Sequence, residues 1–242
     1  GPNWEGTEEP FFAQVQIFEP HRGFKKNALP ARELALELPP WLPEDPLARA
    51  DEAGYLSSIE VLDRKVGNIL DRLEAAGLTE TTLVIFIGDH GRPQVRGKQW
   101  LYDAGIHVPM IVRWPGMVEP GTVNTSMTSL IDLAPTTLAA FNLEIPLAMQ
   151  GRVVVGPRTG VDPGMVFSAR DRCDETVEGV RAVRTNEFKY IRNLLPSKQM
   201  LQPNRYKDRS YPMRSLLRTE GAMAWAETPR VAEELYVLKD DP

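Results

Sequence analysis

The chain has 242 residues, with 28 Lys+Arg against 33 Asp+Glu and a formal net charge of −5. That balance, with no basic run of five, disfavours a nucleic-acid binder held by phosphate contacts, and no apolar stretch approaches the ~18–20 residues of a membrane-spanning helix. The 42% hydrophobic and 25% charged composition is that of a folded chain with a core, and a single cysteine excludes both an internal disulfide framework and a cysteine-based zinc site.

Gly1–Pro10 is polar and lacks the charged-then-apolar pattern of a signal peptide. Phe11–Phe18 (FFAQVQIF) lies between Pro10 and Pro20, and its aromatic and β-branched content predicts a strand. From Gly23 to Pro46 five prolines predict a surface loop, with at most one helical turn around Ala31–Leu36.

Tyr55, Ile59, Leu62, Val66, Ile69, Leu70 and Leu73 then recur at three- and four-residue steps among charged positions, which predicts an amphipathic helix closed by Gly77. Thr82–Ile87 (TLVIFI) is continuously apolar, as expected of a strand buried in a parallel sheet. Strand, helical crossover and strand make a βαβ unit. Val108–Arg113 predicts a further strand and Ser129–Phe141 a helix, so residues 1–150 read as α/β, a doubly wound mixed or parallel sheet flanked by helices. Beyond Gly151, Met165–Ala169, Val180–Arg184 and Phe188–Asn193 predict short strands, the stretch from Leu194 to Pro229 is irregular, and Glu233–Leu238 reads as a last strand or a turn. Residues 151–242 therefore read as a smaller antiparallel α+β segment.

Ligands of open α/β sheets bind beyond the carboxyl ends of the strands. Two predicted strands end in reactive residues there: Glu19-Pro20-His21-Arg22, and Gly88-Asp89-His90-Gly91. Asp89 and His90 offer a carboxylate and an imidazole to one cation. His21 and Arg22 supply donors for an anion, and Arg92, Arg96 and Lys98 favour a negatively charged substrate. Taken singly, Asp-His-Gly serves equally as a strand-to-turn cap, Pro-His as a structural pair, Lys98 as a solvated lysine, and His107 as a structural histidine.

Together they carry a resemblance. Leu83–Gly116 reads LVIFIGDHGRPQVRGKQWLYDAGIHVPMIVRWPG, which resembles the second metal-and-substrate motif of the type I sulfatases, in the alkaline phosphatase superfamily. The matching pieces are Asp89-His90-Gly91, Gly97-Lys98, Asp103-Ala104-Gly105, Val108-Pro109 and Trp114-Pro115-Gly116. Pro20-His21, the helix with Tyr55, Asp63, Gly67 and Gly77, the run Ser129–Thr136 and the tail Glu234-Leu235-Tyr236 with Asp240-Asp241-Pro242 extend the likeness over nearly the whole chain. Phe167–Thr185 and Lys189–Asn193 have the texture of the heparan N-sulfatase, or sulfamidase, branch.

The resemblance implies hydrolysis of sulfate esters or sulfamates on a sulfated carbohydrate, without nucleic-acid or membrane partners. It makes Asp89 and His90 ligands of a divalent cation, usually Ca²⁺, although many members carry Asn at the position of His90. It sets Lys98 and His21 against the sulfate group, and Arg22, Arg96, Arg170, Asp171, Arg172 and Asp174 around the substrate. Arg170–Glu175 reads equally as a solvated turn. The family nucleophile is a formylglycine made within Cys/Ser-x-Pro-x-Arg. The single cysteine, Cys173, stands instead in Arg172-Cys173-Asp174-Glu175. The expectation is thus that this chain is the C-terminal portion of a sulfatase, inactive alone, with nucleophile and further metal ligands upstream of Gly1. A periplasmic, secreted or lysosomal location is likewise implied. Two other readings stay open: a phosphodiesterase or phosphonate hydrolase of the same superfamily, and a non-catalytic truncated paralogue that binds anionic glycans.

Overall fold

A computed structural model of the chain describes residues 10–24, 36–173, 175–201, 205 and 229–240. Its dominant local element is α1, Pro46–Ala75, 30 residues long. The Asp45 side chain accepts a hydrogen bond from Leu47 N at 2.7 Å, and Pro46 occupies the first helical turn, where its missing N–H costs nothing. At the other end Gly77 takes φ +71. Leu78 N then reaches Leu73 O at 3.1 Å and Gly77 N reaches Glu74 O at 2.8 Å, the paired bonds of a Schellman stop. Ala48, Glu52, Ala53, Gly54 and Leu73 are the buried positions of α1. The apolar stripe from Tyr55 to Leu70 is only partly covered. No helix among the described residues is long and apolar enough to cross a membrane.

The strand β1, Val84–Ile87, pairs antiparallel with β2, Met110–Arg113, in the register Val84 with Arg113 and Ile87 with Met110. This corrects the expected parallel pairing. Residues 88–109 become the wide connection of a two-stranded ribbon, and they contain one helical turn, α2, Asp103–Ile106. The strand expected at Phe11–Phe18 is not formed. A strand exists through its ladder, and among the described residues none pairs with this segment, whose residues 12–16 are exposed. The βαβ unit built on that strand falls with it. The helical turn expected around Ala31–Leu36 lies outside the described residues except for Leu36.

A 3₁₀ turn at Leu130–Asp132 leads into α3, Leu133–Ala140, within the expected helical run. Asp132 accepts from Ser129 N at 2.9 Å and from Arg152 N at 2.8 Å, so one carboxylate caps the turn and fastens a segment 20 residues away. The expected strands of the second part all form: β3 (Val166–Cys173), β4 (Thr176–Arg184), β5 (Phe188–Asn193) and β6 (Glu233–Val237). They make one antiparallel sheet in the order β3-β4-β5-β6. The chain is thus mixed α/β, with antiparallel sheets and few helices. Its main core crosses residue 150: Leu101 packs with Val180, Ala182 and Ile191, and Val95 and Trp100 pack with Leu201. The 88–109 connection therefore lies on the four-stranded sheet, which fixes its shape.

Candidate functional site

The connection between β1 and β2 closes on itself through main-chain bonds. Gly91 N donates to Gly105 O at 2.9 Å, Arg92 N to Ala104 O at 3.1 Å, and Lys98 N to Arg92 O at 2.8 Å. A Cβ on Gly91 would overlap the Ala104 carbonyl, and one on Gly105 would overlap the carbonyls of Gly97 and Trp100. Only glycine permits these two approaches, which is the physical content of the Asp-His-Gly and Asp-Ala-Gly motifs.

The N-terminal half of α1 clamps the connection through adjacent acids. Glu52, 4% exposed, accepts from Arg92 Nη2 and from Gln94 Nε2, the latter at 2.7 Å. Asp51 grips Arg22 with two parallel bonds of 2.6 and 2.7 Å, and Arg22 Nε donates to Pro93 O at 2.8 Å. His21, adjacent to Arg22, is thereby carried to the loop that holds His90 and Lys98. Its ring packs on Phe18 at 4.8 Å between centroids, and its Nδ1 lies 3.0 Å from Arg22 O.

His90 Nδ1 lies 2.8 Å from Gly91 O, a carbonyl that can only accept, so Nδ1 donates there and Nε2 is the ring nitrogen turned toward Asp89. Nε2 stands 3.7 Å from Asp89 Oδ2, and the Asp89 side chain is 88% exposed. One carboxylate oxygen and one imidazole nitrogen thus converge as two donors for a cation. Among the described residues no group of three or more His, Cys, Asp or Glu side chains could hold a metal. The donors fit part of a coordination shell: Asp89 suits a hard oxygen-seeking ion, and His90 adds a nitrogen that calcium does not favour.

Other expected site residues have structural partners. Arg22, with a 5% exposed side chain, is committed to Asp51 and Pro93 and is a tie between segments. Arg92 is held by Glu52 and stacks 5.0 Å from the Tyr55 ring. Arg170 donates to the Gln99 carbonyl and lies 3.4 Å from Glu178, with a 9% exposed side chain, so it anchors β3 beneath the loop. Burial would raise the Glu178 carboxyl, but hydrogen bonds from Arg230 and the charges of Arg170 and Arg230 outweigh it and hold it below the usual carboxylate range. Arg22 and Arg170, both expected at the substrate, are thus each engaged with a buried carboxylate of the chain itself. Asp171 pairs with Arg181 at 2.6 Å on the surface, Arg172 is exposed on β3, and Asp174 lies outside the described residues. Arg96, with φ 63, stacks 4.2 Å from the Tyr102 ring and 5.6 Å from Trp41.

Sequence reasoning missed the clamp acids Asp51 and Glu52 and the carboxylate of Asp103. Asp103 receives Lys189 Nζ at 2.7 Å and Arg184 Nη2 at 3.0 Å. Burial would raise the Asp103 carboxyl, and the bonds from Arg184 and Lys189 hold it low instead. The available signal for the clamp was an acidic pair in the first turns of an otherwise amphipathic helix. One further signal lies outside the described residues: Ser210-Tyr211-Pro212-Met213-Arg214 has the letters Ser-x-Pro-x-Arg, far beyond the Asp89–His90 motif in the chain.

Comparison with known proteins follows the same residues. The Sulfatase family model matches residues 3–143, and the model of the N-sulphoglucosamine sulphohydrolase C-terminal region matches residues 88–208. An ulvan-active sulfatase of Formosa agariphila is 35% identical over 219 residues, covering 88% of this chain and 37% of the relative. Human N-sulphoglucosamine sulphohydrolase is 31% identical over 170 residues, covering 65% of this chain and 34% of the relative. The chain thus spans well under half the length of these relatives. Among solved structures, BT4656 in complex with its substrate D-glucosamine-2-N,6-O-disulfate superimposes with a TM-score of 0.55 at 21% identity, covering 80% of this chain and 35% of that one. A phosphonate monoester hydrolase of Silicibacter pomeroyi gives a TM-score of 0.54 at 28% identity, covering 61% and 33%.

Proposed function

The chain belongs to the sulfatase family, and from that premise we propose that it supplies part of the active centre of an enzyme that hydrolyses sulfate esters or sulfamates on a sulfated glycan. The observation that carries the reading is the bond from Arg22 Nε to Pro93 O, which brings His21 to the loop bearing Asp89, His90 and Lys98 across 71 residues of chain. Asp89 and His90 would hold part of the shell of a divalent cation, calcium in this reading, which would supply Lewis-acid stabilisation of negative charge. Lys98 and His21 then face the sulfate group, donating hydrogen bonds to its oxygens and to the leaving oxygen as negative charge builds there. The attacking group is a formylglycine hydrate carried by a part of the protein preceding this chain, together with the remaining metal ligands. A covalent sulfated intermediate would divide the displacement into two easier steps. The ulvan-active and glucosamine-sulfate relatives support a glycan as substrate.

The test is sulfate release from sulfated oligosaccharides by the longer protein, with Lys98→Ala and His90→Ala variants. Loss of turnover by about 10²-fold or more in each, with folding intact, is the expected result. Unchanged turnover in both overturns the assignment. The likeness to a phosphonate monoester hydrolase favours a second reading, hydrolysis of phosphonate or phosphate esters at the same centre. Faster turnover of an aryl phosphonate than of the matched aryl sulfate would select it.

A further inference from the structure

A cleft of about 310 Å³ opens beside the 88–109 connection, between that loop, the segment around Trp41, and strands β5 and β6. Trp41, Tyr102 and Tyr236 supply aromatic walls, Arg92 and Arg96 bring guanidinium groups, and Asp103, His107 and Lys189 complete the polar lining. The volume is at the small end of ligand-sized cavities and has room for one substituted sugar ring.

The charges are arranged unequally. Asp103 is the carboxylate that receives both Lys189, at 2.7 Å, and Arg184, at 3.0 Å. His107 Nδ1 stands 3.7 Å from the same carboxylate and is 68% exposed at the rim. Burial pushes the Lys189 ammonium down from its ordinary value, Asp103 pulls it back up, and the neighbouring charges of Arg184 and Arg96 push it down again. Positive groups therefore crowd around a single acid, which an anion entering the cleft would relieve. The aromatic walls are ordered by the same network: Tyr102 Oη donates to Glu234 at 2.9 Å, Tyr236 Oη donates to it at 2.5 Å, and the two rings meet edge to face at 6.1 Å. Rigid rings beside fixed cations suit a pyranose that presents a C–H face to stack and an acidic substituent to pair. The cleft reaches Arg92 and Ala104, whose main-chain bond closes the loop that carries His90 and Lys98.

We propose that this cleft, walled by Trp41, Tyr102 and Tyr236 and charged by Arg96, binds a sugar residue bearing a sulfate or carboxylate group, as a recognition subsite for an anionic glycan. The inference rests on the glycan reading of the active centre and adds a place and a chemistry for holding the chain. Its aromatic walls come from both sides of residue 150, so the subsite exists only where the loop is docked on the four-stranded sheet.

The test is calorimetric titration of the 242-residue chain, with Trp fluorescence as a second signal. The probes are a sulfated uronic-acid disaccharide, its desulfated counterpart, a sulfated amino sugar, a neutral disaccharide and adenosine monophosphate. Binding of the sulfated disaccharide with quenching, and weakening by about tenfold in Arg96→Gln, is the expected result. Arg96→Gln is checked for native near-ultraviolet dichroism, and His107→Gln, at an exposed position, gives a smaller loss of about two- to threefold. Binding of the desulfated disaccharide or of the amino sugar, either one, supports the proposal and tells which anionic group is read. Equal binding of the neutral disaccharide, preferential binding of the nucleotide, no binding of any sugar, or undiminished binding in folded Arg96→Gln overturns it. Sulfate release by the longer protein is read separately through Lys98→Ala, so failure of the catalytic reading and failure of the subsite give different results.

Discussion

Arg22 and Asp51 form a bidentate pair at 2.6 and 2.7 Å, with side chains 5% and 8% exposed. The pair joins the His21 turn to α1, while the Nε bond of Arg22 to Pro93 joins both to the 88–109 connection. Removing one partner leaves a buried charge without its counter-ion. Arg22→Ala is therefore expected to destabilise the fold by about 3–5 kcal/mol, and a double-mutant cycle with Asp51→Ala should show strong coupling. Urea unfolding of the four proteins measures it, and additive losses would show that the pair does not act as a unit.

Gly91 and Gly105 should resist enlargement. Their hypothetical Cβ atoms overlap backbone carbonyls, which cannot swing aside as a flexible side chain can. Gly91→Ala or Gly105→Ala is expected to cost about 1–3 kcal/mol or more and to open the loop to proteases. Gly67, with nothing within 4 Å of its Cβ position, is the control and should tolerate Ala. Limited proteolysis with thermal melting distinguishes the three variants.

Stability should fall on the acid side. Asp103 and Glu178 both have carboxyls held below their ordinary range by Arg and Lys partners, against the opposing effect of burial. A group whose folded pKa is depressed contributes stability that is complete above its unfolded pKa and is lost as pH falls through the folded value. The loss should begin near ~pH 5 and continue downward. Asp103→Asn and Glu178→Gln should each flatten the slope of melting temperature against pH in that window. An unchanged slope in both variants would remove these carboxylates as its source.

Calcium binding by this chain alone should be weak. Asp89 and His90 converge as two donors, and no larger cluster exists among the described residues. Calcium ordinarily takes ~6–8 oxygen ligands, so calorimetry should give no stoichiometric site tighter than about millimolar. Tight one-to-one binding would show that ligands from other residues complete the shell.

Ser210 should remain an unmodified serine. The letters Ser-x-Pro-x-Arg at 210–214 follow the Asp89–His90 motif by more than a hundred residues, whereas the proposed mechanism draws its formylglycine from a segment preceding this chain. Mass spectrometry of the peptide spanning Ser210–Arg214 reads this directly, and a mass loss of two hydrogens at Ser210 would relocate the nucleophile.

The parts legible in the sequence are those governed by neighbours in the chain. Asp45, Pro46 and Gly77 bound α1 through local caps, the period-two strands after residue 165 formed as expected, and the glycine spacing of the 88–116 motif follows from carbonyls that its own loop brings close. Local dihedral preference and side-chain period fix such features before any long-range contact is made. The tertiary structure alone decided that β1 pairs antiparallel with β2, because an apolar strand does not encode the direction of its neighbour. It also decided which arginines are tied to carboxylates. Arg22, Arg92 and Arg170 are drawn inward by Asp51, Glu52 and Glu178, acids 29, 40 and 8 positions away in the chain. Arg96 instead stacks between the Tyr102 and Trp41 rings at a cleft. Residue type gave all four arginines the same positive charge, and the position of an opposing carboxylate drew three of them inward.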